Sequence, residues 1–120
     1  MPRPEPFHER ALTFACTVVQ LYTKLARSST VPPHLARQVL NAGTSIGANL
    51  EEAKGAQTRR DVTAKFSIAL KEARETVYWL RLVEATGLAS TDLLRPILSE
   101  AEQLVAILTT ARRRLNDHCG

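Results

Sequence analysis

The sequence predicts an all-α protein that folds as an antiparallel, up-down-up-down four-helix bundle. Apolar residues recur at steps of three and four over four long segments, which is the period of one helix face. Proline and glycine stand between those segments, where helices begin and end. No segment alternates apolar and polar residues over a strand length, and no Asn-Gly or Asp-Gly hairpin turn occurs. Four helices with short connections favour this bundle topology.

The first two helices are separated by a polar segment that ends in two prolines. Apolar residues repeat with helical spacing from Phe7 to Leu25, after an N-terminal stretch with three prolines. Pro33 can begin the second helix, because the N–H that proline lacks would be unpaired in a first turn. Gly55 can end that helix, since glycine is favoured just past a helix C-terminus.

The third and fourth helices also carry signals for their ends. Thr58 and Asp61 have the spacing of an N-terminal cap, in which a side-chain oxygen accepts from a free backbone N–H. Gly87 is the expected C-cap of the third helix, and Ser90 or Thr91 is the expected cap of the fourth. The predicted helices span about 8–27, 33–54, 59–86 and 91–116, in a bundle over 7–117 between a flexible N-terminal tail, 1–6, and a C-terminal tail, 118–120.

Composition indicates one globular domain. The chain has 120 residues, of which 44% are hydrophobic and 23% are charged, and these values exclude a disordered chain. No apolar run approaches about 20 residues, so no membrane span is expected. No apolar segment typical of a secretory signal follows the N-terminus. Cys16 and Cys119 lack metal or redox spacing, which favours a reducing, cytoplasmic location.

The first and fourth helices carry apolar residues over about half of their circumference. In the first helix this width reaches from Phe14 and Leu21 around to Leu12 and Val19. A helix that faces only its own bundle usually needs a narrower stripe. Deep burial among the other three helices is one interpretation, and contact with a second copy of the chain is the other. We expect a homo-oligomer.

The second helix contains an uncharged stretch of small residues around Gly43 and Gly47. These two glycines are four residues apart and share a helix face. Glycine inside a helix costs up to about 1 kcal/mol relative to alanine. We therefore expect another helix to pack closely against this face. A phosphate-binding loop is disfavoured because no Gly-Lys-Ser/Thr sequence follows.

Polar residues of the second and third helices form the strongest candidate constellation. Asn49 and Glu52 share a face of the second helix, and Glu72 and Glu75 share a face of the third. One hypothesis is an interhelical hydrogen-bond network, in which glutamates pair with nearby arginines or cap free N–H groups. The other is a carboxylate pair that performs acid–base chemistry, with Glu52 and Glu75 as its members.

No pattern of catalytic or metal-ligating residues stands out. Glu5 and His8 have the spacing of a di-iron ligand pair, but a bundle site needs two such pairs and two further glutamates. Ser45 stands between Gly43 and Gly47 in a Gly-x-Ser-x-Gly sequence, but these residues lie inside the predicted second helix, and no His and acid partners for a catalytic serine are evident. We therefore expect no enzyme activity, no metal and no cofactor.

The basic residues favour a polyanionic partner, and a merely solvated surface is the alternative. The net charge is +4, and the densest basic cluster is Arg112, Arg113 and Arg114 near the end of the fourth helix. Cations at a helix C-terminus interact favourably with the helix dipole, which is one explanation of the cluster. Contact with phosphate groups of RNA or DNA is the other. The same surface would include Arg59 and Arg60.

Two stretches of the sequence resemble a known family. They are Ser-Ile-Gly-Ala-Asn-Leu-Glu-Glu-Ala, from Ser45, and Phe-Ser-Ile-Ala-Leu-Lys-Glu-Ala-Arg-Glu-Thr-Val-Tyr-Trp-Leu, from Phe66. Both resemble the four-helix-bundle family of proteins encoded in intervening sequences of 23S ribosomal RNA genes. That family is also similar to the accessory variability determinant of diversity-generating retroelements. The resemblance covers about 8–117. The family often has Ala-Glu-Gly where this chain has Glu51-Glu52-Ala53.

The resemblance implies an antiparallel four-helix bundle that assembles as a homopentamer and has no enzyme activity. The retroelement relatives bind nucleic acid and a reverse transcriptase. Our leading hypothesis is thus a self-assembling bundle that presents a basic surface to RNA, to DNA or to a protein partner. The alternative is a purely structural oligomer or a protein adaptor without affinity for nucleic acid.

Overall fold

Four α-helices connected by short turns make up the protein in a computed structural model that describes residues 6–119, with side chains for 7–117. The helices are α1 (Pro6–Arg27), α2 (Pro33–Lys54), α3 (Arg59–Ala85) and α4 (Thr91–Cys119). No strand occurs over this described range, so the all-α class is confirmed. None of the helices in this range is long and apolar enough to cross a membrane.

Five of the eight predicted helix ends coincide with the structure, and the other three differ by one to three residues. α1 begins at Pro6, and the rest of the predicted N-terminal tail lies outside the described residues. α4 continues to Cys119, so the predicted helix end at 116 and the predicted start of the C-terminal tail at 118 were both wrong. The sequence after Leu115 contains no proline or glycine until Gly120, and nothing therefore stops the helix at 116.

Local hydrogen bonds explain where α3 and α4 begin. The Thr58 hydroxyl oxygen accepts from the Asp61 backbone N–H at 3.1 Å, as expected for an N-cap. The Ser90 hydroxyl oxygen accepts from the Leu93 N–H at 3.1 Å, so Ser90 rather than Thr91 caps α4.

A Schellman motif ends α3. The Leu88 N–H donates to the Val83 carbonyl at 3.1 Å, and the Gly87 N–H donates to the Glu84 carbonyl at 3.1 Å. Gly87 has a φ of +69°, which is the left-handed conformation that glycine adopts without a Cβ penalty.

The helices form a ring in which each one packs on its two neighbours. α1 contacts α2 and α4, and α3 contacts α2 and α4, whereas the diagonal pairs make no backbone approach among the described residues. Gly43 and Gly47 of α2 lie against Val18 and Ala11 of α1, so these two helices run antiparallel. Ion pairs join the end of α2 to the start of α3 and the end of α3 to the start of α4, as expected for the same arrangement. The largest fully buried side chains are Val18, Leu21, Val39, Ile46, Leu50, Thr76, Leu80, Val83, Leu94, Leu104 and Leu108.

The α1–α4 seam is the loosest of the four and is held by a polar clamp. The Arg10 guanidinium donates to both carboxylate oxygens of Glu100, at 3.0 and 2.7 Å, and to the Gln103 side-chain oxygen at 2.9 Å. The hydrogen bond to Glu100 raises the pKa of Arg10 above its ordinary value. A bidentate pair of this kind fixes both distance and register between the two helices.

Apolar surface remains outside the bundle on α1 but hardly on α4. The wide apolar arc of α4 is mostly absorbed by the core, with Leu94, Leu98 and Leu104 all buried. In contrast, Leu12 is 60% exposed and Val19 is 47% exposed. α1 therefore carries apolar surface that its own bundle does not cover. The wide apolar arc of α4, in contrast, is explained by burial within one chain.

Candidate nucleic-acid interface

The antiparallel topology brings the two predicted basic segments to one end of the bundle. α3 begins with Arg59 and Arg60 at the end where α4 finishes. Arg59 and Arg114 line the same surface cavity of about 530 Å³, together with Lys54 from the end of α2. We call the five arginines Arg59, Arg60, Arg112, Arg113 and Arg114 the basic end.

The arginines of the basic end are exposed to solvent. Among the described residues, the ion pairs between side chains join Glu100 to Arg10, Glu51 to Lys54, Glu52 to Lys65 and Glu84 to Arg95. In that part of the chain, no such pair neutralises Arg59, Arg60, Arg112 or Arg113. These four cations remain available to an external anion.

Apolar residues form part of the lining of the cavity at the basic end. Phe7 and Phe66 meet edge to face, with ring centroids 5.9 Å apart, and Val62 and Leu115 line the same space. Phe7, in the first turn of α1, thus packs on Phe66 at this end of the bundle, and the same cavity is lined by Lys54, Arg59 and Arg114. Apolar side chains do not bind phosphate, so the cations in the lining would make the contacts.

A second depression of about 520 Å³, which we call the α3 groove, runs along α3 beside Arg112. Lys71, Arg74 and Tyr78 line it and follow one another at steps of three and four, so they share a helix face. Glu75 is the one carboxylate among the residues that line it. This stripe was not predicted from the sequence, although its spacing is visible there.

The predicted network of Asn49, Glu52, Glu72 and Glu75 does not form as one cluster. The Asn49 side-chain amide donates to the Ser45 carbonyl of its own helix at 2.8 Å. Glu52 does bridge two helices, but its partner is Lys65 at 2.6 Å. Lys65 and Glu72 are seven residues apart on α3, or about 10 Å along the helix axis. Glu52 is therefore too distant to pair with the two carboxylates farther along α3.

Glu72 and Glu75 form their own pair on α3. Partial burial, followed by the charge of Glu75 and a hydrogen bond with it, raises the pKa of Glu72. Lys71 acts in the opposite direction. The acid–base hypothesis required Glu52 and Glu75 to act together. Glu52 pairs instead with Lys65, which lies ten residues before Glu75 on α3, so the two carboxylates do not form the required pair.

The two glycines of α2 differ in their surroundings. A Cβ on Gly43 would lie 2.7 Å from both methyl carbons of Val18 in α1, well inside van der Waals contact. A Cβ on Gly47 would lie 3.5 Å from the carbonyl oxygen of Ala11, which is an ordinary contact. The close approach of α1 and α2 is therefore centred on Gly43.

No group of three or more His, Cys, Asp or Glu side chains is placed to hold a metal ion in the described part of the chain. Glu5, half of the single Glu-x-x-His spacing, lies outside the described residues. The described polar clusters are the basic end, the α3 groove and isolated ion pairs.

Comparisons with known proteins give a family but no activity. The family model of the 23S rRNA-intervening sequence proteins matches residues 7–110, which include nearly all of α1–α3 and most of α4. The arginines at 112–114 lie just beyond this match. No functionally curated protein shows a significant match.

A solved structure shows the same fold. It is a protein of unknown function from the S23 ribosomal protein family of Bacteroides thetaiotaomicron, and it is 36% identical in sequence. The alignment covers 88% of this chain and 96% of that one, with a TM-score of 0.81. From the extent of the family match and this likeness, the chain belongs to the family of 23S rRNA-intervening sequence proteins.

Proposed function

We propose that this protein is a non-enzymatic, self-assembling bundle whose basic end binds the phosphates of nucleic acid. The observation that carries the proposal is the convergence of α3 and α4 on one exposed surface, where no described carboxylate pairs with Arg59, Arg60, Arg112 or Arg113. Guanidinium groups bind phosphate oxygens through paired hydrogen bonds, which suits such a surface to a polyanion.

The helix dipole does not explain the whole cluster. Arg112, Arg113 and Arg114 lie near the C-terminus of α4, where cations are favourable. Arg59 and Arg60 occupy the first turn of α3, where the dipole disfavours positive charge. A structural role therefore accounts for three of the arginines, and an anionic partner gives a physical reason for the other two.

Self-association would multiply this charge. Leu12 and Val19 are seven residues apart on α1 and both project from the bundle, and Leu12 lines a groove beside Ala15 and Ala48. We propose that this apolar face of α1 packs against another copy of the chain. With a net charge of +4 per chain, a pentamer would carry +20.

A salt series tests the binding proposal. Labelled RNA and duplex DNA would be titrated with the protein between about 50 and 200 mM salt, and a phosphate-binding protein loses affinity steeply over that range. Replacing both Arg59 and Arg60 with glutamine should weaken binding and reduce the salt slope by about 1.8 for duplex DNA. Arg27→Gln/Arg37→Gln, at the opposite end of the bundle, is the matched control and should retain the wild-type slope. Absent or salt-independent binding would contradict the proposal.

A second candidate function is supported by the exposed apolar face of α1. An oligomer or protein adaptor would need that face but not the basic end. In this case the mass of the particle would exceed 13.3 kDa while nucleic-acid binding stayed absent at every salt concentration. The salt series and a mass measurement together separate the two functions.

A further inference from the structure

The α3 groove combines positive charge with an exposed aromatic ring. Lys71, Arg74 and Arg112 line it with one carboxylate, that of Glu75, so its lining carries a net charge of +2. The stripe from Ser67 to Tyr78 is about 16 Å long at 1.5 Å per residue. Arg112, one of the five arginines of the basic end, also lines this groove.

Tyr78 is unusual among the aromatic residues of the described chain. Its side chain is 59% exposed, whereas Phe14 and Phe66 are in the core and Tyr22 packs against it. The rings of Tyr78 and the neighbouring Trp79 are in T-shaped contact, with centroids 5.1 Å apart and planes at 73°. This contact restricts the tyrosine ring while more than half of the side chain stays open to solvent.

We infer that the α3 groove binds single-stranded nucleic acid, with an unpaired base stacked on Tyr78 and the flanking phosphates held by Lys71, Arg74 and Arg112. A base in a duplex is already stacked between its neighbours and cannot use an aromatic platform, whereas an unpaired base can. Cations beside an exposed aromatic ring are the usual components of sequence-tolerant single-strand sites. This inference rests on the proposed nucleic-acid function and adds a preference for single strands.

The test compares one sequence in three forms: a labelled 20-nucleotide RNA, the same sequence as single-stranded DNA, and its DNA duplex. Fluorescence anisotropy at fixed salt gives the three affinities for wild type, Tyr78→Ala and Tyr78→Phe. We expect wild type to bind both single strands more tightly than the duplex. Tyr78→Ala should weaken single-strand binding roughly tenfold, while Tyr78→Phe, which keeps the ring, should stay within about twofold of wild type. Duplex binding should change little in either variant.

A charge variant provides an independent measurement on the same groove. Arg74→Gln should lower single-strand affinity and reduce its salt slope by about 0.7, whereas Arg37→Gln, an exposed cation on α2, should leave both unchanged. Circular dichroism melting of each variant confirms that these exposed substitutions leave the fold intact.

The possible failures are distinguishable. If Tyr78→Ala binds single strands as tightly as wild type, the inference is overturned. The proposed function still holds in that case if binding depends on salt and is weakened by replacing Arg59 and Arg60 with glutamine. If wild type prefers the duplex, the inference is also overturned. If no form of nucleic acid binds at any salt concentration, both the inference and the proposed function fail.

Discussion

Replacing Gly43 with alanine adds a methyl group at the tightest contact between α1 and α2. The new Cβ would lie 2.7 Å from both methyl carbons of Val18, a fully buried side chain whose branching at Cβ restricts its rotamers. Alanine improves helix propensity by up to about 1 kcal/mol, but overpacking a core costs about 1–3 kcal/mol. We therefore expect Gly43→Ala to lower the free energy of unfolding by about 1 kcal/mol.

Gly47→Ala is the matched control, because the same substitution one helical turn away meets only ordinary contacts, at 3.5 Å from the Ala11 carbonyl oxygen. There the propensity gain should dominate and stabilise the protein by about 0.5–1 kcal/mol. Val18→Ala makes room for the new methyl group, so Gly43→Ala should become neutral or stabilising in that background.

Chemical denaturation at a fixed protein concentration measures all four variants, since the stability of an oligomer depends on concentration. If Gly43→Ala and Gly47→Ala change the free energy of unfolding by the same amount and in the same direction, the close contact with Val18 does not determine the effect of a methyl group at position 43. A Gly43→Ala effect that is unchanged by Val18→Ala would contradict the assignment of Val18 as the clashing partner.

Three further predictions concern polar contacts. Arg10→Ala removes the clamp to Glu100 and should destabilise the protein by about 1 kcal/mol in urea melts, with a smaller loss at high salt. An unchanged midpoint would show that the clamp contributes nothing. Lys65→Ala removes an exposed pair with Glu52 and should cost at most about 0.5 kcal/mol by the same measurement, so a loss above about 1 kcal/mol would refute its surface character. Because the pKa of Glu72 is raised in the folded state, ionisation of this carboxyl group destabilises the fold at pH values above that pKa. The destabilisation decreases as the pH falls and is absent below the pKa that Glu72 has in the unfolded chain. Glu72→Gln should therefore stabilise the protein by about 0.3 kcal/mol at pH 7 and by almost nothing at pH 3; an equal effect at both pH values would contradict this origin.

The helices could be predicted from sequence because their signals are local. A cap such as Thr58, a helix start such as Pro33 and a positive-φ glycine such as Gly87 act within one turn of the chain, and the structure places helix ends at all three. The apolar period likewise needs only a short window. Local signals did not mark the end of α4, where no helix-breaking residue precedes Gly120.

The polar contacts could not be predicted, because they depend on the rotation and axial position of one helix against another. Glu52 lies at the end of α2 near the start of α3, but its partner, Lys65, is set by the register between these two helices. The clamp of Arg10 on Glu100 joins residues 90 positions apart, with no pattern in the sequence to connect them. The α3 groove combines a stripe that was visible in the sequence with an arginine supplied by another helix.

The mass of the particle in solution tests the proposed assembly most directly. Size-exclusion chromatography with light scattering should give a multiple of 13.3 kDa, and about 67 kDa for a pentamer. Leu12→Asp/Val19→Asp, which places charge on the exposed face of α1, should reduce that mass while the helical circular dichroism is retained. A wild-type particle of 13.3 kDa that persists at high protein concentration would contradict self-assembly and the multiplied charge derived from it.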